Sequence, residues 1–303
     1  MRAVFSFWSK PFMAYKGRIW STPLHHLLSW GLSVRLAKRH FDEVVLITDR
    51  RGKALLVDRL GLEFSHVYEN LEDYDDVDPG WWAFGKLVSY SLQTEPFCHI
   101  DNDVFLWQKM PASLTSAPVF TQCPEHFHTA WEWCGPAHVE KAFAEHHLEL
   151  PMEWMYARSL HPEQFCEDNC GIMGGTDTEF LRYFAGVAID LVTNPKNHAA
   201  WNVFAEKEGF NMVVEQFLLH ACVEYHRSNP QSIFHNVRMR YLFPSFEQAY
   251  EEDRAKRVGF THLLGDAKSH PVVMKRLEDR MQWEAPHFYR HCVGLFQRGY
   301  ADA

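Results

Sequence analysis

The sequence predicts an α/β fold in which a mostly parallel central sheet carries helices on both faces. Two features lead to this prediction. Short apolar runs typical of buried strands alternate with amphipathic stretches over residues 3–100, and such alternation places consecutive strands in parallel. In addition, an acidic triplet directly follows the last of these strands, at the sheet edge where open α/β sheets bind their ligands.

The amino-terminal region supplies this alternation element by element. A helix is predicted over residues 22–38, because a row of leucines shares one helical face and Pro23 suits a first turn. Two further helices and four strands are predicted from the same patterns. The helices are residues 52–60 and 82–92, and the strands are residues 3–8, 44–48, 64–68 and 97–100.

The remaining residues are predicted to complete a single domain over residues 1–303, since neither a shift in composition nor a repeat marks a boundary. Residues 105–165, rich in His, Trp and Pro, are predicted to form an irregular surface insertion. The aromatic side chains of this insertion could stack on a ligand or pack in the core; they are Trp131, Trp133, Trp154 and Tyr156. Further elements are expected at residues 168–175 and 260–264 (strands) and 178–192, 211–223 and about 271–298 (helices).

Composition narrows the class of protein. The net charge is −9, from 30 basic and 39 acidic residues, which argues against a nucleic-acid or anionic-membrane partner. Seven cysteines without a C-x-x-C pair predict free thiols in a reducing compartment. The first residues lack a signal-peptide pattern, and no run approaches the about 18 apolar residues of a membrane span. A cytoplasmic protein without a transmembrane segment is expected.

Asp101 and Asp103 are the first candidate functional residues. They follow the predicted strand 97–100, and two carboxylates at this spacing can turn toward one point. Such oxygen ligands suit Mg²⁺ or Mn²⁺. A solvated acidic turn is the alternative, although charges at the end of a buried strand are costly unless compensated.

A second candidate segment runs from His262 through Gly265 to Lys268. A neutral imidazole nitrogen can join oxygen ligands on Mn²⁺. Gly265 would allow close approach of the backbone to a ligand, and Lys268 offers a positive charge for a phosphate oxygen. A structural, hydrogen-bonded histidine is the alternative interpretation of His262 alone.

Together these segments resemble the GT-A glycosyltransferases, most closely family 8, which includes glycogenin and bacterial lipopolysaccharide galactosyltransferases. In that family a D-x-D triplet follows a strand, and H-x-x-G-x-x-K lies near the carboxyl end of the domain. The resemblance covers residues 3–270. It implies a GT-A fold for nucleotide-diphospho-sugar transfer, with Asp101, Asp103 and His262 on the metal and Lys268 on the donor diphosphate.

Two further segments carry the resemblance. Asn169-Cys170-Gly171 resembles the family's N-[SA]-G-V segment, and Glu215-Gln216 resembles its D-Q-x-x-L segment near the anomeric carbon. The resemblance therefore implies catalytic roles for Glu215, Gln216 and Lys268, although Glu215 could simply pair with a basic residue. The donor contacts it implies are Ser6, Phe7 and Trp8 near the base, and Lys86, Asn169, Gly171, Gly265 and Lys268 elsewhere on the donor.

The sequence departs from the family pattern at several positions. Ser269 and His270 follow the lysine where Pro-Trp is common, Glu215 replaces an aspartate, and His220 stands in place of an asparagine. These departures indicate a distant relative.

The expected function is metal-dependent transfer of a sugar from a nucleotide-diphosphate donor, with retention of configuration. The expected cofactor is Mn²⁺ or Mg²⁺ and the expected donor a UDP-sugar. The acceptor hydroxyl, on a glycan, a lipid-linked molecule or a protein, stays open, as do the sugar and the oligomeric state. The insertion at residues 105–165 would lie on the acceptor side, where its aromatic side chains could stack on a sugar. Alternatives are a metal-dependent phosphatase or nuclease, and an inactive nucleotide-sugar-binding or interaction protein.

Overall fold

A computed structural model describes residues 1–15, 19–129 and 134–299 of the chain. The predicted sugar-stacking residues Trp131 and Trp133 lie outside these residues. The described strands are β1 (Arg2–Phe7), β2 (Val44–Thr48), β3 (His66–Tyr68), β4 (Phe97–Ile100), β5 (Val104–Leu106), β6 (Val119–Thr121), β7 (Pro124–His128), β8 (Gln164–Asp168), β9 (Ile172–Gly175), β10 (Met239–Tyr241) and β11 (Phe260–His262).

Helices connect most of these strands. The longer α-helices are Pro23–His40, Phe84–Ser91, Pro136–Glu145, Met152–Leu160, Thr178–Thr193, Leu218–Ser228, Pro271–Glu284 and Pro286–Gln297. The shorter ones are Ser9–Tyr15, Arg50–Lys53, Ala112–Thr115, His198–Trp201, Phe210–Met212, Phe246–Tyr250 and Glu252–Val258. Asn70–Tyr74, Pro195–Asn197 and Gly265–Lys268 are 3₁₀ turns, and Ala54–Arg59 and Val213–Phe217 are π-helical.

The central sheet has seven strands in the order β10-β6-β9-β4-β1-β2-β3. β1 lies parallel to both β2 and β4, β2 to β3, and β6 to β10, whereas β9 runs antiparallel to its neighbours β4 and β6. Six strands therefore point the same way. The prediction of an α/β fold with a mostly parallel sheet is confirmed.

Each face of the sheet contributes to its own hydrophobic core. Val4 and Val45 point into one core, with the helices Phe84–Ser91 and Thr178–Thr193. Their neighbours Phe5 and Leu46 point into the other, which includes the helix Pro23–His40 and the two carboxyl-terminal helices. Because strand side chains alternate between faces, strands buried throughout must be covered by helices on both sides.

The structure corrects two predictions in the middle of the chain. Residues 105–165 are not irregular: they include most of β5, all of β6 and β7 and three α-helices, and β6 joins the central sheet. The predicted strand 168–175 is two strands, because β8 pairs with β7 in a separate ribbon while β9 enters the main sheet. Polar and charged residues interrupt β7 and β8, so neither strand forms the continuous apolar run that marks β2 and β4 in the sequence.

Burial separates the two described residues of the predicted stacking set, Trp154 and Tyr156. Trp154 is completely buried and donates to Glu140 Oε1 (3.0 Å), so it packs in the core. Tyr156 is partly exposed and packs edge-to-face on Tyr225. All seven cysteines are buried and free. Within the described ranges, no helix combines the length and the hydropathy needed to cross a bilayer.

Candidate metal and donor site

The sheet topology brings the predicted metal residues to one edge. Asp101 follows the last residue of β4, and its N–H donates to the carbonyl of Gly171 (2.9 Å), just before the antiparallel strand β9 begins. Strand β11 pairs with β5 so that His262 lies opposite Val104, and Leu263 N–H donates to the carbonyl of Asp103 (3.0 Å). Segments far apart in the sequence therefore meet at the carboxyl ends of the parallel strands.

We refer to Asp101, Asp103 and His262 as the Asp101 cluster. Each offers one ligand atom, and these atoms all lie within 4.8 Å of one another. Asp103 is nearly inaccessible, with 4% of its surface exposed, whereas the Asp101 side chain is 22% exposed. A mixed carboxylate and imidazole set of this size suits a divalent cation such as Mn²⁺.

The orientation of His262 fits a bound cation. Its Nδ1 lies 2.7 Å from Gln122 Oε1, which fixes Nδ1–H as the donor and leaves a lone pair on Nε2. This Nε2 lies 3.4 Å from Asp103 Oδ1, which is buried and accepts no hydrogen bond. Two acceptors thus face each other without a proton donor, and a cation between them would satisfy both. A neighbour on the second nitrogen is the usual support of a metal-binding histidine.

Gly171 packs directly against His262. A Cβ atom added there would lie 2.3 Å from His262 Nδ1 and 2.7 Å from Gln122 Oε1. Both distances are far below van der Waals contact, so any side chain at position 171 would displace the imidazole. The glycine predicted to contact the donor therefore also determines where the histidine lies.

Two serines hold the backbone of the acidic turn. The Ser29 hydroxyl donates to the carbonyl of Asn102 (2.7 Å), and the Ser33 hydroxyl donates to that of Val104 (2.7 Å). Both serines are buried on the helix Pro23–His40. They satisfy carbonyl groups that would otherwise be costly to bury, and so they keep the turn in one conformation.

Two lysines accompany the carboxylates. Lys268 Nζ lies 2.5 Å from Asp103 Oδ2. Burial opposes ionisation of Asp103, but the positive charge of Lys268 prevails and holds its pKa well below the usual range. Lys86 Nζ lies 3.1 Å from Asp101. For Asp101, burial together with repulsion from Asp103 outweighs Lys86, so the pKa is raised.

Lys86 connects Asp101 to Glu215. Its Nζ also lies 3.0 Å from Glu215 Oε1 and 3.1 Å from the carbonyl of Cys170. Glu215 is completely buried and accepts the Tyr90 hydroxyl (2.6 Å) on the same oxygen, while Oε2 has no partner. Burial raises the pKa of Glu215. Glu215 thus pairs with a basic residue, which is the alternative to a catalytic role given above for this position.

Three further predicted residues belong to the chain segments that carry the site. Gln216 is 8% exposed and lies with Glu215 in the π-helical turn Val213–Phe217. Asn169 donates to Glu125 Oε1 (2.5 Å) and accepts the Gly171 N–H (3.0 Å). Gly265 has a left-handed φ of 47° and open space where a Cβ would be. Their roles on a donor stay predictions.

The segment predicted near the donor base lies at the end of β1. The Ser6 hydroxyl pairs with His99 Nε2 (2.9 Å). Phe7 and Trp8 are buried, with Phe7 edge-to-face on Trp30 and Trp8 packed near Phe84. Their side chains thus belong largely to the core, and the contact with a base stays a prediction.

Four residues that shape the site were not predicted from the sequence: Gln122, Ser29, Ser33 and His26. Gln122 follows β6, the strand hidden in the supposed insertion. The two serines lie on the helix Pro23–His40, which was predicted from its row of leucines and not from its polar residues. His26 is buried near Lys268, and burial, followed by Lys268, lowers its pKa to about 3. Serines placed among buried helix positions were the one available signal.

The fold and the site define an α/β protein whose sheet edge carries a carboxylate–imidazole cluster flanked by lysines. The chain belongs to a family of unknown function, DUF6734, whose model matches residues 1–295. No curated protein sequence matches it. Among solved structures, it is similar to the galactosyltransferase LgtC in complex with donor and acceptor sugar analogs. That similarity has a TM-score of 0.38 at 10% identity, over 97% of this chain and 96% of LgtC.

Proposed function

We propose that this protein is a metal-dependent glycosyltransferase of the GT-A type that moves a sugar from a UDP-sugar to an acceptor hydroxyl. One observation carries the proposal: Asp101, Asp103 and His262 converge within 4.8 Å, with Lys268 and Lys86 on the two carboxylates. A cation held by carboxylates and flanked by lysines is suited to a diphosphate, because each positive charge can neutralise part of it.

The chain's own residues have distinct tasks in this proposal. Asp101, Asp103 and His262 would hold Mn²⁺ or Mg²⁺, which supplies charge neutralisation on the departing diphosphate. Lys268, with a side chain 15% exposed, can exchange Asp103 for a phosphate oxygen. Lys86 is engaged by three acceptors, so its task is to hold Asp101 and Glu215 in place. Retention of configuration follows from the family resemblance alone.

Calorimetric titration of UDP with and without Mn²⁺ tests the metal site. The wild-type protein should bind UDP more tightly with Mn²⁺, and Asp103→Asn should abolish this dependence because a carboxylate ligand is lost. Asp266→Asn is the matched control, since Asp266 is exposed in the adjacent turn and outside the cluster. Equal Mn²⁺-dependent affinity in wild type and Asp103→Asn would refute the site.

A nucleotide panel tests the donor class. UDP with Mn²⁺ should raise the melting temperature more than GDP or ADP does, because a ligand that binds only the native state stabilises it. Release of UDP from UDP-sugars should then identify the sugar. Hydrolysis of phosphomonoesters or polynucleotides instead would favour the phosphatase or nuclease alternative.

Gln216→Ala tests the sugar side of the proposed site. UDP lacks the sugar, so the substitution should reduce UDP-sugar turnover while UDP affinity and the melting temperature stay nearly unchanged. The control is Gln282→Ala, an exposed glutamine on the helix Pro271–Glu284. A variant that loses UDP binding and melts much earlier would assign Gln216 to the structural core.

A further inference from the structure

A second cluster of ligating side chains lies outside the Asp101 cluster. Cys166, Asp168 and His220, here the Cys166 cluster, each offer a ligand atom within 4.8 Å of the others. His220 Nδ1 lies 3.1 Å from Asp168 Oδ2, and Cys166 Sγ lies 4.0 Å from Asp168 Oδ1. Asp168 is completely buried and Cys166 nearly so, whereas the His220 side chain is 20% exposed.

We propose that the Cys166 cluster binds a zinc ion. A thiolate, an imidazole and a carboxylate together form a ligand set typical of zinc, whereas Mg²⁺ and Mn²⁺ prefer oxygen-rich sets. Nitrogen and oxygen ligands about 2.0 Å from a tetrahedral ion lie about 3.3 Å apart, close to the observed separation of His220 and Asp168. Small side-chain rotations would bring the thiolate to the same ion.

A buried carboxylate lies on the other side of the His220 ring, next to Nε2 rather than Nδ1. Glu224 Oε2 is buried, has no hydrogen-bond partner and lies 3.8 Å from His220 Nε2. His220 and Glu224 are four residues apart on the helix Leu218–Ser228, so they share one face. Zinc on Nδ1 would leave the proton on Nε2, on the side of this carboxylate, and a carboxylate in that position is a usual outer partner of a zinc-binding histidine. Three protein ligands and a water molecule would then complete a four-coordinate site.

Neighbouring groups hold the central carboxylate in position. The Tyr241 hydroxyl donates to Asp168 Oδ1 (3.0 Å), and Cys170 Sγ donates to the Asp168 carbonyl (3.1 Å). Outer hydrogen bonds of this kind orient metal ligands. Through Tyr241 the site joins the end of β10 to β8 and the helix Leu218–Ser228, just before the Asn169–Gly171 segment that packs on His262. The ion would therefore act as a structural clip.

Cobalt(II) titration of the full-length, metal-free protein tests this inference. Cobalt bound by a thiolate shows a ligand-to-metal absorption in the near ultraviolet that oxygen and nitrogen sites lack. We expect this band at one cobalt per chain, its loss in Cys166→Ser, and its displacement by zinc. Cys292→Ser, a buried cysteine of the helix Pro286–Gln297, should keep the band, as should Asp103→Asn. No band in the wild-type protein, or an unchanged band in Cys166→Ser, would overturn the proposal.

A second variant covers the case in which Cys166→Ser does not fold. Tyr241→Phe removes only a hydroxyl outside the coordination sphere, and loss of such a partner weakens metal binding about 10- to 100-fold. Zinc should also raise the melting temperature of the wild-type protein. Unchanged zinc affinity in Tyr241→Phe would contradict the assignment. Since the two clusters share no ligand, a failure here leaves UDP and Mn²⁺ binding intact and is distinguishable from failure of the proposed function.

Discussion

The Asp101 cluster and the Cys166 cluster contain the same core of aspartate and histidine but differ in their surroundings. In the first cluster, each carboxylate has its own lysine partner: Lys268 pairs with Asp103 and Lys86 with Asp101. Within the described ranges, Asp168 of the second cluster has no such lysine partner; Tyr241 and His220 engage it instead. Lysines beside a proposed metal site leave positive charge for an anionic ligand, whereas neutral and acidic neighbours offer no such charge and favour binding of the cation alone.

The two clusters also differ in how their ligands are fixed. Gln122 accepts a hydrogen bond from Nδ1 of His262, and Gly171 packs against Nδ1 and Cε1 of the same ring. Serines of a helix fix the Asp101–Asp103 turn. In the Cys166 cluster, a ribbon strand and one helix face supply the ligands. In the proposed function, the first arrangement would leave a bound ion open to a substrate, whereas an ion in the second would join β8 to the helix Leu218–Ser228.

Removing the positive charge of Lys268, beside the Asp101 cluster, should have the largest effect. Lys268→Ala should lower release of UDP from a UDP-sugar on the order of 10²-fold. The reason is that the lysine ammonium, which would face the negative charge developing on the departing diphosphate, is lost. Mn²⁺ should bind at least as tightly, since Asp103 is no longer shared with the lysine.

The matched control for that variant is Lys38→Ala, a surface lysine paired with Glu63, which should keep wild-type turnover. Steady-state assays with calorimetric Mn²⁺ titration make the comparison. Wild-type turnover in Lys268→Ala would make Lys268 a structural partner of Asp103 and weaken the contrast between the clusters.

Displacing the histidine should have an intermediate effect. Gly171→Ala places a Cβ 2.3 Å from His262 Nδ1, so the hydrogen bond to Gln122 must break. Mn²⁺ affinity should fall about 10-fold or more, as for other lost partners of metal-binding histidines. Gly186→Ala, on the helix Thr178–Thr193 with open space around it, should leave Mn²⁺ affinity unchanged. Equal affinities in the two variants would show that His262 does not ligate the metal.

The smallest effect concerns the pH dependence of stability near the first cluster. Burial, followed by Lys268, lowers the pKa of His26 to about 3, whereas an unfolded histidine titrates near about 6.5. Between these values the unfolded state binds more protons. The free energy of unfolding attributable to His26 therefore falls as pH falls through this window, by up to about 1.4 kcal/mol per pH unit.

His26→Gln should remove that contribution, while keeping an acceptor for the Trp30 indole. Urea unfolding between about pH 7 and about pH 5 should show a shallower slope in the variant than in wild type. His66→Gln, an exposed histidine on β3, controls for the loss of an imidazole. Parallel slopes in wild type and His26→Gln would contradict a buried neutral histidine beside Lys268.

The local sequence was sufficient to predict that strands and helices alternate. It was also sufficient to select Asp101, Asp103 and His262 as candidate residues. Val44–Thr48 and Phe97–Ile100 were predicted at their observed bounds, because buried parallel strands are continuous apolar runs. Asp101 and Asp103 were recognised because charges directly follow such a run, and His262 because its spacing to Gly265 and Lys268 is distinctive. Each of these signals is carried by neighbouring residues.

Tertiary structure alone decided which distant residues meet. The antiparallel entry of β9 and the short strand β6 bring Gly171 and Gln122 onto His262, and neither contact has a local pattern. The Cys166 cluster joins residues from β8 and from the helix Leu218–Ser228, with ligands too far apart in sequence for cysteine spacing to reveal. Periodicity and motifs report neighbours along the chain, whereas a site formed by strand order and helix packing depends on contacts that exist only after folding.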